Sequence, residues 1–190
     1  MKLKVVVVDM DDSLAERAKA PVSAALAGPY GHPFHPMLVT VPIGAWVGSL
    51  VLDVASRLVH DPAALVPGAR WLIAIGVIGA LAAAMPGFLD LFAIPPGTRA
   101  FRVALVHMSL NLLVTAAYAG NFLWRHAERG APGGASTGML ALNAVSLAAL
   151  ALSGYLGGKL AYRYGVRVAD EVTQAEGFVP GRGRPDRSAD

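Results

Sequence analysis

The chain reads Trp71-Leu-Ile-Ala-Ile-Gly-Val-Ile-Gly-Ala-Leu-Ala-Ala-Ala-Met-Pro-Gly-Phe-Leu89 across 19 consecutive residues, without one Asp, Glu, Lys or Arg. An α-helix rises about 1.5 Å per residue, so about 20 apolar residues cross the ~30 Å hydrocarbon core of a bilayer. This stretch therefore predicts a membrane-spanning helix.

Three further windows of the 190-residue chain lack charged side chains in the same way: residues 33–52, 103–124 and 131–158. Charged residues make up 15% of the chain, compared with about 25% in soluble domains, and all of them lie outside the four windows. A soluble four-helix protein would carry a charged face on every helix. The composition therefore excludes an ordinary soluble domain, a disordered chain and, despite the net charge of +3, a nucleic-acid-binding module.

We predict an all-α fold, an integral membrane four-helix bundle whose main partner is the lipid bilayer. Residues 1–36 are predicted to form a polar N-terminal tail with a short interfacial helix, and residues 163–190 a disordered C-terminal tail. The membrane domain is predicted to span residues 37–162. Its four spans are predicted at about residues 37–59, 71–92, 103–124 and 139–162.

Four spans place both termini on the same side of the membrane. That side carries the Arg and Lys residues Arg17, Lys19, Arg99, Arg102, Lys159, Arg163 and Arg167. The opposite side carries Arg57, Arg70, Arg125 and Arg129. Because loops rich in Lys and Arg stay in the cytoplasm, we predict that both termini are cytoplasmic.

One motif at the start of the chain is a misleading sign of an enzyme. Val5-Val-Val-Val-Asp9-Met-Asp11-Asp-Ser13-Leu14 resembles the first motif of haloacid-dehalogenase-type phosphatases, whose first Asp is a nucleophile. That fold needs an α/β domain after the strand, whereas here the first apolar window follows closely. We assign no catalytic residue, and we expect that the protein is not an enzyme on its own. The chain has no cysteine, which excludes disulfides and cysteine-ligated metal sites.

The two halves of the chain share a weak internal repeat. A shift of 72 positions places His35, Trp46, Gly48 and Ser49 on His107, Tyr118, Gly120 and Asn121. A shift of 67 places Gly87-Phe-Leu89 on Gly154-Tyr-Leu156. The repeat predicts a duplicated helical hairpin, with both copies inserted in the same direction.

Polar side chains from all four spans are predicted to meet at the terminal side of the bundle: His32, His35, Asp90, His107, Asn111 and Lys159. Ionisable groups inside a membrane are energetically costly and usually face the bundle interior. His35 and His107 lie at similar depth on spans one and three, which suits bis-imidazole ligation of a haem. We therefore predict that His35 and His107 bind a cofactor, haem b.

Three other interpretations of this cluster stay open. His107 could bond to Asp90 or to a backbone carbonyl and form a purely structural polar cluster. His32, His35, His107 and Asp90 could form a loose metal site, to which we assign no residue. Asp90, Lys159 and the histidines could also line a proton path.

At the opposite end of the bundle, Asp53 has two candidate partners. Arg57 lies four residues further along the same helix, and Arg125 lies on span three, where it follows Asn121 by four residues. We expect a structural salt link at this membrane edge.

A set of ordered motifs resembles the DUF2231 family over about residues 28–168. The motifs are Gly31-His-Pro-Phe-His-Pro36, Val41-Pro-Ile-Gly-Ala-Trp46, Ser49-Leu50 with Leu52-Asp53, Gly87 with Asp90, Ile94-Pro-Pro-Gly-Thr-Arg99, His107 with Asn111, and Ser153-Gly-Tyr-Leu-Gly-Gly158 through Val166. The resemblance implies a four-span bacterial membrane protein without an assigned activity. Some relatives are joined to a Rieske-type iron–sulfur domain, which suggests electron transfer. Lys159 departs from the family pattern, because many relatives have Glu or His there.

From the residues and this resemblance we expect a multi-pass protein of the bacterial plasma (inner) membrane, a redox-linked component with haem between spans one and three. A membrane redox partner, or a homodimer formed through small residues such as Gly154 and Gly158, is the expected protein partner. The same small residues also suit packing inside one bundle. The alternatives are a structural or interaction subunit without a cofactor, and a small transporter or proton-path protein.

Overall fold

The computed structural model describes residues 13–129 and 133–178. Within these residues the chain is helical and contains no strand, so the predicted all-α fold is confirmed. The described residues include four helices that are long and apolar enough to cross a membrane. The motif around Asp9 lies outside the described residues, apart from its last two positions.

In spans one, two and three the helix is longer than the charge-free window that predicted it. Span one, Phe34–Ser56, consists of α3 (Phe34–Leu38) and α4 (Thr40–Ser56). Spans two and three are α5 (Leu65–Ala93) and α6 (Arg99–Ala127), and span four is α7 (Thr137–Gly158) with one further π-helical turn to Arg163. Helices continue past the apolar core because long Arg side chains reach the interface while the backbone stays hydrogen-bonded.

Side-chain caps determine where spans three and four begin. The Oγ1 of Thr98 accepts a hydrogen bond of 3.1 Å from the amide of Phe101. The Oγ of Ser136 accepts one of 3.3 Å from the amide of Met139. Each cap satisfies an amide that the first turn of a helix leaves without a partner.

The spans form two hairpins that pack side by side. Span one packs on span two, and span three packs on span four. Contacts between spans two and three and between spans one and four close the bundle. Spans one and three therefore face each other across the centre through their side chains.

The middle of the bundle is a packed apolar layer. The rings of Trp46 and Tyr118 stack with centroids 4.1 Å apart and an angle of 7° between their planes, and both side chains are buried with Ile73 and Val114. A Cβ at Gly76 would overlap the indole of Trp46, so only glycine allows span two to pass this ring.

The contacts of the stacked pair follow the internal repeat. The Nε1–H of Trp46 donates to the carbonyl of Ile73 at 3.3 Å. The hydroxyl of Tyr118 lies 3.3 Å from the carbonyl of Asn143. Trp46 and Tyr118 are 72 positions apart, and Ile73 and Asn143 are 70 apart. The duplication is thus visible in the packing, and these contacts relate spans two and four by a shift of 70 rather than 67.

The segments before and after the membrane domain pack on each other. Before span one lie α1 (residues 13–19) and α2 (Ala24–Ala27), and after span four lie α8 (Glu171–Ala175) and a 3₁₀ turn, Glu176–Phe178.

Residues 163–178 differ from the disordered tail expected there. The side chain of Arg167 is buried, with its Nε 2.8 Å from Oδ1 of Asp90 at the end of span two. The amide of Arg167 donates to the carbonyl of Ala18. A buried ion pair and backbone hydrogen bonds thus order a segment whose composition alone indicated disorder. The rest of the predicted tail, residues 179–190, lies outside the described residues.

Candidate functional site

His35 lies in the first turn of span one, against span two. Its Nδ1 is 2.8 Å from the carbonyl oxygen of Ala83. A carbonyl only accepts hydrogen bonds, so Nδ1 carries the proton. A Cβ at Gly87 would lie 2.7 Å from the same nitrogen, so this glycine makes room for the imidazole.

His107 repeats this arrangement in the second hairpin. Its Nδ1 is 2.8 Å from the carbonyl oxygen of Ser153 on span four, and a Cβ at Gly157 would lie 3.0 Å from its Cε1. Both the histidines and their carbonyl and glycine partners are thus related by the internal repeat. The imidazoles fill the space that Gly87 and Gly157 leave.

The two histidines face each other between the hairpins. Their ring centroids are 6.1 Å apart and their planes are nearly perpendicular, at 88°. Both side chains are half-buried. Because each Nδ1–H is held by a carbonyl, each Nε2 keeps its lone pair, and this is the tautomer in which histidine binds a metal.

The two Nε2 atoms differ in their surroundings. The Nδ2 of Asn111 is 3.2 Å from Nε2 of His107. The same amide nitrogen donates to the carbonyl of His107 at 2.9 Å and to Oγ of Ser153 at 2.8 Å. Nε2 of His35 has no hydrogen-bond partner in residues 13–129 and 133–178. His35 therefore presents the open nitrogen of the pair.

The other polar residues predicted at this end do not join the pair. Asp90 forms its ion pair with Arg167 and no hydrogen bond to either histidine. His32 is exposed, with Nδ1 3.4 Å from the carbonyl of Tyr30, and Nζ of Lys159 lies 5.7 Å from the ring centre of Tyr164. The described part of the chain contains no group of three or more His, Asp or Glu side chains that could hold a metal ion.

Arg167 is a central residue of this end that sequence reasoning counted only as a positive charge. Its Nη2 donates to the carbonyls of Ala27 and Gly28 at 3.1 and 2.8 Å. Its backbone has φ +60°, a conformation that a non-glycine residue rarely adopts. The signal available in the sequence was Asp90 itself, because a buried carboxylate commonly pairs with a cation.

A second polar layer lies at the opposite end of the bundle. Nη1 and Nη2 of Arg125 donate to the two carboxylate oxygens of Asp53 at 2.7 and 2.6 Å, and both side chains are almost fully buried. Of the two partners open to Asp53, the structure selects Arg125 across the bundle. Arg57 donates instead to the carbonyl of Ala135 and the hydroxyl of Thr137.

Amide and hydroxyl groups complete this layer. Asn143 donates to Oδ2 of Asp53 at 2.8 Å and to Oγ of Ser49 at 3.0 Å. Oδ1 of Asn143 accepts from the hydroxyl of Tyr118, and Oδ1 of Asn121 accepts from Nε of Arg125 at 2.8 Å. The layer joins spans one, three and four, and the stack of Trp46 and Tyr118 lies between it and the histidine pair.

Comparison with known proteins supports the assignment of the membrane domain. Residues 31–170 match the family model described as predicted membrane protein (DUF2231). Neither a search of curated proteins nor a search of solved structures found a match. The match covers His35, His107 and all four apolar helices. The chain therefore belongs to the DUF2231 family of membrane proteins.

Proposed function

We propose that this protein is a redox-linked membrane component in which His35 and His107 would hold b-type haem between spans one and three. The observation that carries the proposal is the facing histidine pair with both Nδ1–H groups fixed by carbonyls. Such an outer hydrogen bond orients a ligating imidazole and raises its basicity.

The spacing of the pair suits this assignment. A metal–imidazole bond is about 2 Å long, and a ring nitrogen lies about 1 Å from the ring centre, so two imidazoles that would share one metal have centroids at most roughly 6 Å apart. The observed separation is 6.1 Å. Haem would supply one-electron transfer, and the chain supplies the ligands and their orientation.

Binding requires the spans to separate around the pair, because the imidazoles fill the space beside Gly87 and Gly157, and it requires Nε2 of His107 to become free. Asn111 hydrogen-bonds to Nε2 of His107, so this contact has to open before the nitrogen can act as a ligand. Ser153 and the carbonyl of His107 remain as partners of the amide nitrogen. Opening the contact with Nε2 therefore leaves no buried amide group without a partner.

The absorption spectrum of the protein, purified in mild detergent from cells with ample haem supply, tests the proposal. We expect a Soret band that sharpens on reduction, and its loss in His35→Ala and His107→Ala. The control His32→Ala changes an exposed histidine and should keep the band. A colourless wild-type protein, or a band unchanged in both ligand variants, would contradict the proposal.

A pair of glycine variants provides a second readout at the same site. Gly87→Ala places a Cβ 2.7 Å from Nδ1 of His35 and should shift or weaken the band. Gly154→Ala adds a Cβ with no neighbour within 4 Å and should leave it unchanged.

The proposed location follows from the charge distribution. We place the protein in the bacterial plasma membrane with both termini in the cytoplasm, because more Arg and Lys residues flank the spans on the terminal side. One haem per chain would need an electron donor and an acceptor, so the proposed partner is a second membrane redox protein.

A structural or interaction subunit without a cofactor is the second candidate. It is favoured by Asn111, which already satisfies Nε2 of His107. A transporter or proton path has less support, because the buried stack of Trp46 and Tyr118 with Ile73 and Val114 separates the polar layers.

A further inference from the structure

Two adjoining cavities open at the end of the bundle away from the termini, within the described part of the chain. Their volumes are about 480 and 510 Å³, and they share Pro62 and residues 133–136 as lining. The first cavity is also lined by Arg57 and His60, and the second by Arg70 and Arg129. Basic side chains from the ends of spans one, two and three thus line these two adjoining cavities.

These arginines lack acidic partners. Among residues 13–129 and 133–178 the ion pairs are Glu16–Lys19, Asp53–Arg125 and Asp90–Arg167, and none involves Arg57, Arg70 or Arg129. Within the described part of the chain, the hydrogen bonds of Arg129 go to the ring and the carbonyl of His126. The guanidinium groups therefore remain available to an anion.

The carboxylates of the second cavity have other partners. Oδ1 of Asp61 accepts from the amide of Ala63, and Oε1 of Glu128 accepts from Nε1 of Trp124. Arg125 also lines this cavity, but its charge is balanced by Asp53. The second cavity thus has two carboxylates and two arginines outside any ion pair, and Arg57 of the first cavity gives the two cavities together one net positive charge.

The cavities lie next to exposed apolar side chains at the membrane edge. Leu58 is 78% exposed, Trp71 is 64% exposed, and Val59 lines the first cavity. A lipid whose headgroup occupies the cavity would have its acyl chains beside these side chains. Guanidinium groups bind phosphate oxygens in a paired geometry, and basic pockets at helix ends bind anionic headgroups.

We infer that the adjoining cavities lined by Arg57, Arg70 and Arg129 bind a phosphate group, carried either by an anionic phospholipid or by a soluble phosphate. The site is separate from the histidine pair and does not depend on haem.

The experiment measures binding to the purified full-length protein in neutral detergent micelles. Phosphatidylglycerol or phosphatidylcholine is added to the micelles, and inorganic phosphate is titrated at constant ionic strength. Phosphatidylglycerol, inorganic phosphate or both should raise the melting temperature, and phosphatidylcholine should not. A response to phosphatidylglycerol alone identifies a lipid site, and a response to inorganic phosphate identifies a soluble ligand.

Charge-neutralising variants test the location. Arg70→Gln should weaken binding about tenfold, the factor expected for one lost charge-assisted hydrogen bond. Arg57→Gln should act similarly, but Arg57 also holds Ala135 and Thr137; if it fails to fold, Arg70→Gln decides. The control Arg99→Gln with Arg102→Gln removes two charges at the other membrane edge and should bind as wild type.

Two results would overturn the inference. One is the absence of any response to either phosphate source. The other is an equal loss in the control, because the binding would then reflect overall charge rather than this cavity.

Discussion

At the scale of single residues, the ion pair of Asp53 and Arg125 shows how a membrane protein keeps charges inside its fold. A buried charge is tolerated only when it is paired and its remaining hydrogen-bonding groups are satisfied. Arg125 uses Nε, Nη1 and Nη2, and Asp53 also accepts from Asn143. The ion pair is therefore part of one hydrogen-bonded network with Asn121 and Asn143.

We predict that Asp53→Leu lowers the free energy of unfolding by about 3–5 kcal/mol, because it leaves a buried guanidinium without a counter-charge. The double variant Asp53→Leu with Arg125→Met should cost less than the single one, because no unpaired charge remains. Denaturant titration in mixed micelles measures both. Arg129→Met, at an exposed arginine of the same end, is the control and should be nearly neutral; a double variant as destabilised as the sum of its single variants would contradict the prediction.

The sequence was sufficient to predict that His35 and His107 lie close together, but it was not sufficient to predict their hydrogen-bond partners. Equal depth on spans one and three follows from the apolar windows, and the structure places the rings 6.1 Å apart. Which acceptor His107 uses depends on helix rotation, which a uniformly apolar sequence leaves undetermined. The structure selects the carbonyl of Ser153 rather than Asp90.

At the scale of elements, the segments flanking the membrane domain hold each other. The hydroxyl of Tyr30 donates to Oδ2 of Asp170 at 2.9 Å and accepts from the amide of Asp170 at 2.8 Å. Oδ1 of Asp170 accepts from the amide of Thr173 and so caps α8. One side chain thus starts a helix and joins the two segments that flank the membrane domain.

This contact predicts a pH dependence. The amide of Thr173, and then the hydroxyl of Tyr30, hold the pKa of Asp170 below its ordinary value of 3.8. A lowered folded-state pKa means that the stabilisation is present above the unfolded-state value and is lost as the pH falls through the folded-state value. We expect the amide of Thr173 to lose hydrogen-exchange protection on acidification below about pH 4, after correction for the intrinsic rate.

Asp170→Asn is the matched variant for this measurement, because its side chain keeps an oxygen acceptor but does not titrate in this range. Its exchange should be nearly independent of pH. A wild-type protein that exchanges equally at pH 5 and pH 3 would contradict the assigned role of Asp170.

The spans were predictable and the flanking segments were not, for one physical reason. A run of apolar residues such as 71–89 specifies a helix in lipid regardless of its neighbours, because the backbone has to satisfy its own hydrogen bonds there. Residues 163–178 are ordered by distant partners instead. Arg167 donates hydrogen bonds to the carbonyls of Ala27 and Gly28 and pairs with Asp90. These partners are far away in the sequence, so no local sequence pattern predicts the contacts.

At the scale of the whole molecule, the bundle is a duplicated hairpin whose corresponding residues meet at its centre. His35 faces His107, Trp46 stacks on Tyr118, and Asp53 binds Arg125. Each pair is separated by 72 positions. The outer pair differs in charge between the two halves, because two carboxylates or two guanidinium groups at this place would repel each other.

The distribution of Arg and Lys predicts how the whole molecule is oriented in the membrane. The segments before span one and after span four are in contact through Tyr30 and Asp170, so these two segments lie on one side of the bundle. Because the chain has no native cysteine, single cysteines report the side without interference. We expect a membrane-impermeant maleimide to label Ala63→Cys in intact cells, and Gln174→Cys only after the membrane is permeabilised. The reverse pattern would place the arginine-rich terminal side outside the cell and contradict the positive-inside assignment, and labelling of both in intact cells would contradict a four-span topology.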